Sequence, residues 1–196
     1  MTISVLGIAG GMRRGGNSET LLERALDGAR DAGADTEFIN LLDLSISPCI
    51  CPQSEDCMLT GVCTVLDDMQ ALYAKLRTVD LIFIAFPIAF RGVPAQTKAL
   101  YDRTQPLWIR KYVLGQQLRR DKEAGKALII ATADRDDLTE FDGAVQATRS
   151  WLVSLHFREA ARLLVPGVVR ATDVMEKPDA LAEAYELGAG LVRDSD

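Results

Sequence analysis

The run Leu81-Ile82-Phe83-Ile84-Ala85-Phe86 has no polar residue on either face of a strand. Such a segment has to be covered on both sides, as inner strands of parallel sheets are, and parallel strands in turn need crossover helices. The flanking sequence provides them. Residues 3–9 read as a second buried strand. Residues 18–32 follow as a helix, with Leu21, Leu22, Ala25, Leu26 and Ala29 on one face. Asn17 is placed to cap that helix and Gly33 to stop it. Residues 34–41 read as a strand, and Asp67 or Asp68 is placed to cap a helix whose apolar face is Met69, Leu72, Tyr73 and Leu76. A helix is expected over 94–103, strands over 127–132 and 160–165, and a helix through Ala144, Thr148, Trp151, Leu152 and Leu155. Pro178 opens a last helix. The stretch 104–125 shows no clear period. Strands alternating with helices in this way predict one α/β domain over 1–196, wound on both faces of a five-stranded parallel sheet in the order 2-1-3-4-5. A cysteine-containing loop interrupts it at about 43–66.

Composition narrows the function classes. Asp and Glu number 28 against 22 Lys and Arg, a net charge of −6, which argues against nucleic acid as a partner. No apolar run approaches the roughly 20 residues of a membrane span, and the first strand begins too early for a signal peptide, so a cytoplasmic protein with no membrane partner is expected. His156 is the only histidine, which argues against triad hydrolysis and His-based metal catalysis. Chemistry carried by a cofactor remains open to such a chain.

In a doubly wound sheet the ligand sits beyond the carboxyl ends of the strands. The first such loop, 9–18, carries four glycines, Arg13, Arg14, Asn17 and Ser18 before a helix. Free N–H groups and a positive dipole end make that a phosphate site. Neither a Walker loop nor G-x-G-x-x-G is present, so a mononucleotide phosphate is expected, held by Gly11, Met12, Arg13, Gly16, Asn17 and Ser18. Glu19 is expected to face solvent. After the third strand, Pro87, Ile88, Ala89 and Phe90 stay apolar before Arg91 and Gly92. That surface suits an isoalloxazine ring, with Arg91 placed to stabilise negative charge on its reduced form. Thr132 and Ala133, ending the fourth strand, complete the expected cofactor set. Trp108, Ile109 and Tyr112 are expected to pack against another subunit, as in a homodimer or homotetramer.

Cys49, Cys51, Cys57 and Cys63 are the only cysteines and lie within one short segment. In a reducing compartment such clustering points to metal or redox work rather than to a disulfide scaffold. Four thiolates are sufficient for a [4Fe-4S] cluster or a structural zinc, and free thiols are the remaining reading.

Three blocks of this sequence resemble the NADPH-dependent FMN reductase and iron-sulfur flavoprotein group of the flavodoxin-like fold. Residues 10–18 match the group's FMN phosphate loop at Arg13, Gly16, Asn17 and Ser18. Cys57-x5-Cys63 followed by Asp67-Asp68-Met69 matches the cysteine segment of the iron-sulfur members. Residues 87–98 with Asp102-Arg103 match the flavin-ring loop and the helix behind it. Gly11 replaces a frequent serine and Ala89 a frequent aromatic, and the C-x1-C-x5-C-x5-C spacing departs from the compact C-x2-C-x2-C-x5-C run. The resemblance implies a flavodoxin-like three-layer fold and an FMN-dependent oxidoreductase. It also implies NAD(P)H as co-substrate and a small-molecule electron acceptor. A non-catalytic electron carrier fed by a ferredoxin-like donor, and a flavin-free binding module, are the alternatives.

Overall fold

The computed structural model describes residues 2–50, 55–119 and 123–195. Five strands, β1 (Ser4–Ala9), β2 (Asp35–Asn40), β3 (Leu81–Pro87), β4 (Gly125–Thr132) and β5 (Phe157–Val165), form one sheet in the order β2-β1-β3-β4-β5. All four pairings are parallel. This is the flavodoxin-like arrangement expected from the sequence.

The apolar run of β3 divides its side chains as a pleated strand must. Leu81, Phe83 and Ala85 join a core against α1 (Asn17–Asp31) and α7 (Pro178–Arg193). Ile82, Ile84 and Phe86 join the opposite core against α3 (Met69–Thr78), α4 (Ala95–Arg103) and α6 (Asp142–Ser154). Both faces are therefore covered, and the carboxyl ends of the strands are left as the open edge.

Helices α1 and α7 meet backbone to backbone. A Cβ on Gly188 would lie 1.9 Å from the Ala25 carbonyl oxygen, and one on Gly28 would lie 2.1 Å from that of Tyr185. Only glycine permits this approach.

Three local readings need correction. The stretch after Arg103 contains a helix, α5 (Gln105–Tyr112), with Pro106 in its first turn, where the missing N–H leaves no gap. Ile109 of α5 is buried in the core, while Trp108 and Tyr112 form an exposed, tilted ring pair, so the three do not make one surface cluster. Strand β5 starts at Phe157, three residues before the expected position, because this edge strand carries the charged Arg158, exposed, and Glu159, half-buried, where an apolar run would have marked it.

Candidate functional site

At the strand ends the loops enclose a cleft of about 720 Å³, within the range of sites for drug-sized ligands. The first loop leaves β1 at Gly10, whose N–H donates to the Ala85 carbonyl at 2.7 Å and whose carbonyl accepts the Thr97 hydroxyl at 2.9 Å. A Cβ there would lie 2.2 Å from Thr97 Oγ1, so this position requires glycine. The chain then rises through Gly11, Met12 and Arg13 and re-enters at Gly16, Asn17 and Ser18, all on the cleft wall.

Gly16 is the residue before the first helical turn of α1, and no side chain caps that end. The first-turn N–H groups of Asn17, Ser18 and Glu19 have no partner within the helix. Beside them Ser18 is buried at the wall with its hydroxyl. This donor set fits a phosphate.

Asn17 does not cap. Its Nδ2 donates to the Arg170 carbonyl at 2.7 Å, and its Oδ1 accepts the Val174 N–H at 3.1 Å. It fastens the segment after β5 beside the loop, while Arg13 donates to the Val169 carbonyl at 3.2 Å. Asp173 accepts the Val169 and Arg170 N–H groups, and these bonds hold its carboxyl below the usual range. Glu19 is half-buried rather than solvated, accepting from Gly15 N–H at 3.1 Å and Asn40 Nδ2 at 3.2 Å.

The second wall comes from the loop after β3. Ile88 N–H donates to the Thr132 carbonyl at 2.7 Å, joining this loop to β4. Ala89 and Gly92 exchange two backbone hydrogen bonds, of 3.0 and 2.9 Å, around a two-residue turn. Phe90 and Arg91 occupy it with φ of 49° and 61°. Such turns favour Asn-Gly, because left-handed backbone costs an ordinary residue about 1–2 kcal/mol. Here it carries a fully exposed Phe90 and an Arg91 whose carbonyl lies 2.6 Å from where a Gly143 Cβ would be.

Of the expected cofactor set, Gly11, Met12, Arg13, Gly16, Asn17, Ser18, Pro87, Ile88, Phe90, Arg91 and Thr132 line this single cleft. Ala89 and Gly92 form the base of the turn instead of the wall. Ala133 lies behind it, tied to Val165 and Val168 by backbone bonds of 3.1 and 2.9 Å. The sequence reading missed Asp134, Arg135, Glu140, Val168 and Val169. The signal was available: the rule that ligands sit beyond strand ends applies to strands four and five alike.

The cysteine segment is a second locus. Ser45 and Ser47 N–H groups donate to Asp68 and Asp67 at 2.7 and 2.9 Å, closing the segment into a neck. Arg103, with 1% of its side chain exposed, fills that neck and binds Asp67 twice, at 2.6 and 3.0 Å. It also donates to the Ser47 carbonyl at 2.9 Å. Its hydrogen bonds hold the Asp67 carboxyl down at about 2. Burial works against the guanidinium's charge, and Asp67, Cys63 and Tyr73 together more than offset it. Asp67 does accept the Met69 N–H at 3.1 Å, as a cap would, but its main partner is Arg103.

Cys49 is exposed, Cys57 is buried on α2 (Glu55–Thr60), and Cys63 is half-buried beside Tyr73. Burial and Cys63 together push the Tyr73 phenol above its usual range. Cys51 lies outside the described residues. Among the described residues no group of three or more His, Cys, Asp or Glu side chains is gathered to hold a metal ion. No helix among the described residues is long and apolar enough to cross a membrane.

A family model described as NADPH-dependent FMN reductase matches residues 3–160. The chain belongs to this family. Iron-sulfur flavoproteins are similar to this FMN reductase family member over part of its length. One from Methanocaldococcus jannaschii is 39% identical over 117 residues, covering 60% of this chain and 57% of that one. One from Methanosarcina thermophila is 33% identical over 113 residues, covering 57% and 58%. The chain thus spans a little over half the length of these relatives. Among solved structures, an NAD(P)H:quinone oxidoreductase from Methanothermobacter marburgensis superposes with a TM-score of 0.72 at 18% identity, covering 97% of this chain and 98% of that one. An FMN-dependent NADH-azoreductase from Bacillus anthracis, in complex with FMN, gives 0.63 at 14% identity, covering 97% and 100%. At these identities the structural likeness shows the fold alone.

Proposed function

We propose that the cleft binds FMN and that the chain is an FMN-dependent oxidoreductase, taking electrons from a nicotinamide dinucleotide and passing them to a small acceptor. The observation that carries this reading is the uncapped first turn of α1, opening with Ser18 onto a cleft walled by Pro87 and Ile88. Family membership and the flavoprotein names of the relatives support it. Bound FMN would accept a hydride and release electrons to the acceptor. The protein's part is to bind and orient. The Asn17, Ser18 and Glu19 N–H groups and the Ser18 hydroxyl hold the phosphate. Pro87 and Ile88 offer apolar contact to the ring, and the Ile88–Thr132 bond keeps that wall in place. Asn17 acts through the segment that it fastens.

Titration of the purified protein with FMN, followed by quenching of flavin fluorescence, tests the proposal. Saturable binding is expected. Ser18→Ala should weaken it roughly tenfold, the scale of one charge-assisted hydrogen bond. Asn17→Ala should weaken it too, by loosening the wall at 169–174. A colourless protein that leaves FMN fluorescence unchanged would overturn the reading.

A further inference from the structure

Two arginines on the cleft wall share one buried carboxylate. Arg91 Nη2 lies 3.1 Å and Arg135 Nη1 3.5 Å from the same oxygen, Oε1 of Glu140. The Glu140 side chain is 9% exposed, whereas those of Arg91 and Arg135 are 62% and 72% exposed. All three residues line the cleft that also holds the α1 turn.

Stability does not account for this arrangement. One arginine suffices to neutralise a buried carboxylate, and an exposed second ion pair contributes little. Moreover, Arg91 is held in left-handed backbone beside Phe90. Strain of that kind persists only where the surroundings enforce it, and it clusters at working sites. The enforcing contacts are present: the Ala89–Gly92 bonds and the close approach of Gly143 to the Arg91 carbonyl.

Two acidic neighbours accept backbone N–H groups beside the pair. Asp137 accepts the Thr139 N–H at 2.9 Å, which with the nearby arginines keeps its carboxyl ionised below the usual range. Asp134 accepts the Arg135 N–H at 2.9 Å. The cluster therefore recognises a ligand by directed donors more than by net charge. Each guanidinium has five N–H groups in a rigid fork, of which Glu140 engages only part. Two such forks on one anchor match a phosphate dianion.

We propose that Arg91 and Arg135, gathered on Glu140, clamp a phosphate group of the nicotinamide donor at the cleft rim. The inference rests on the flavin reading and moves Arg91 from the reduced ring to the donor. Glu140 is a positioning residue. Two phosphates present this chemistry: the 2′-phosphate that distinguishes NADPH from NADH, and the pyrophosphate that both contain.

The test uses FMN-loaded protein and calorimetric titration with NADP⁺ and NAD⁺, so no turnover is needed. FMN loading is measured first on every variant. If the wild type takes no FMN, the flavin reading fails. If it loads normally and Arg135→Ala binds both nucleotides like the wild type, the clamp alone fails. We expect Arg135→Ala to lose roughly tenfold in affinity, the scale of one charge-assisted contact, with Arg135→Lys recovering part of it because the charge remains without the fork. A loss confined to NADP⁺ assigns the 2′-phosphate, and an equal loss for both assigns the pyrophosphate. Glu140→Gln should weaken nucleotide binding and flatten its salt dependence less than Arg135→Ala does, since it frees the guanidinium forks without removing them. No measurable nucleotide binding to loaded wild type would also overturn the proposal.

Discussion

Replacing Asp67 with asparagine is the direct probe of the neck that closes the cysteine segment. The change keeps the side chain's shape but leaves the Arg103 guanidinium, 1% exposed, facing a neutral amide. Removing one partner of a buried ion pair costs about 3–5 kcal/mol. Asparagine can still accept one hydrogen bond, which places the expected loss near about 3 kcal/mol. For a chain of this size each kcal/mol lowers Tm by roughly 2–4 °C, so a fall of about 6–12 °C is expected at neutral pH. The acid dependence is a second signature. Asp67 is held at about 2 against an ordinary 3.8, so folding favours its ionised form. Its contribution is complete above the unfolded value and fades as pH falls from about 4 toward 2. Circular dichroism melts of wild type and Asp67→Asn should therefore differ most near neutrality, with the gap narrowing below about pH 4 and closing only toward about pH 2. A variant that melts within about 2 °C of wild type at neutral pH, or a gap that stays constant into acid, would refute the reasoning.

Two further outcomes follow from the backbone. Gly188→Ala should lose about 3 kcal/mol in urea unfolding, since its Cβ would meet the Ala25 carbonyl at 1.9 Å. Gly190→Ala, two residues along the same helix in open space, should be neutral or gain a few tenths of a kcal/mol; equal effects at the two positions would contradict the close helix crossing. Phe90→Asn should raise stability by about 0.5–1 kcal/mol, because asparagine tolerates the left-handed turn and the phenyl ring contacts little. A destabilised Phe90→Asn would mean that the ring packs in a way its exposure hides.

The sheet was legible because its inner strands are written in one-dimensional patterns: 81–86 and 127–131 are apolar without interruption, and 18–32 repeats at helical spacing. Errors fell where a residue's local preference was overridden. The stretch 104–125 shows no clear period, yet α5 lies within it, with Pro106 in its first turn. Asn17 has the chemistry of a cap, yet its amide reaches Arg170 and Val174, more than 150 positions away, and no local pattern records such a bond. Much of the cleft wall was visible because glycines and apolar strand ends mark it. The strand-end rule points to the loop that holds Arg135 and Glu140, but nothing in the order of residues there says that two arginines share one acid. For Asp67 the capping reading captured the weakest of its three contacts, after those with Arg103 and Ser47.

The ties from Asn17 and Arg13 to residues 169–174, and the glycine contact between α1 and α7, join the beginning of the chain to its far end. The 9–18 loop is therefore completed only by a segment made more than 150 residues after it. Until residues 169–193 have emerged from the ribosome, the loop lacks its outer wall and α1 its partner. A nascent chain that has not reached this segment is thus expected to leave the cleft open on that side.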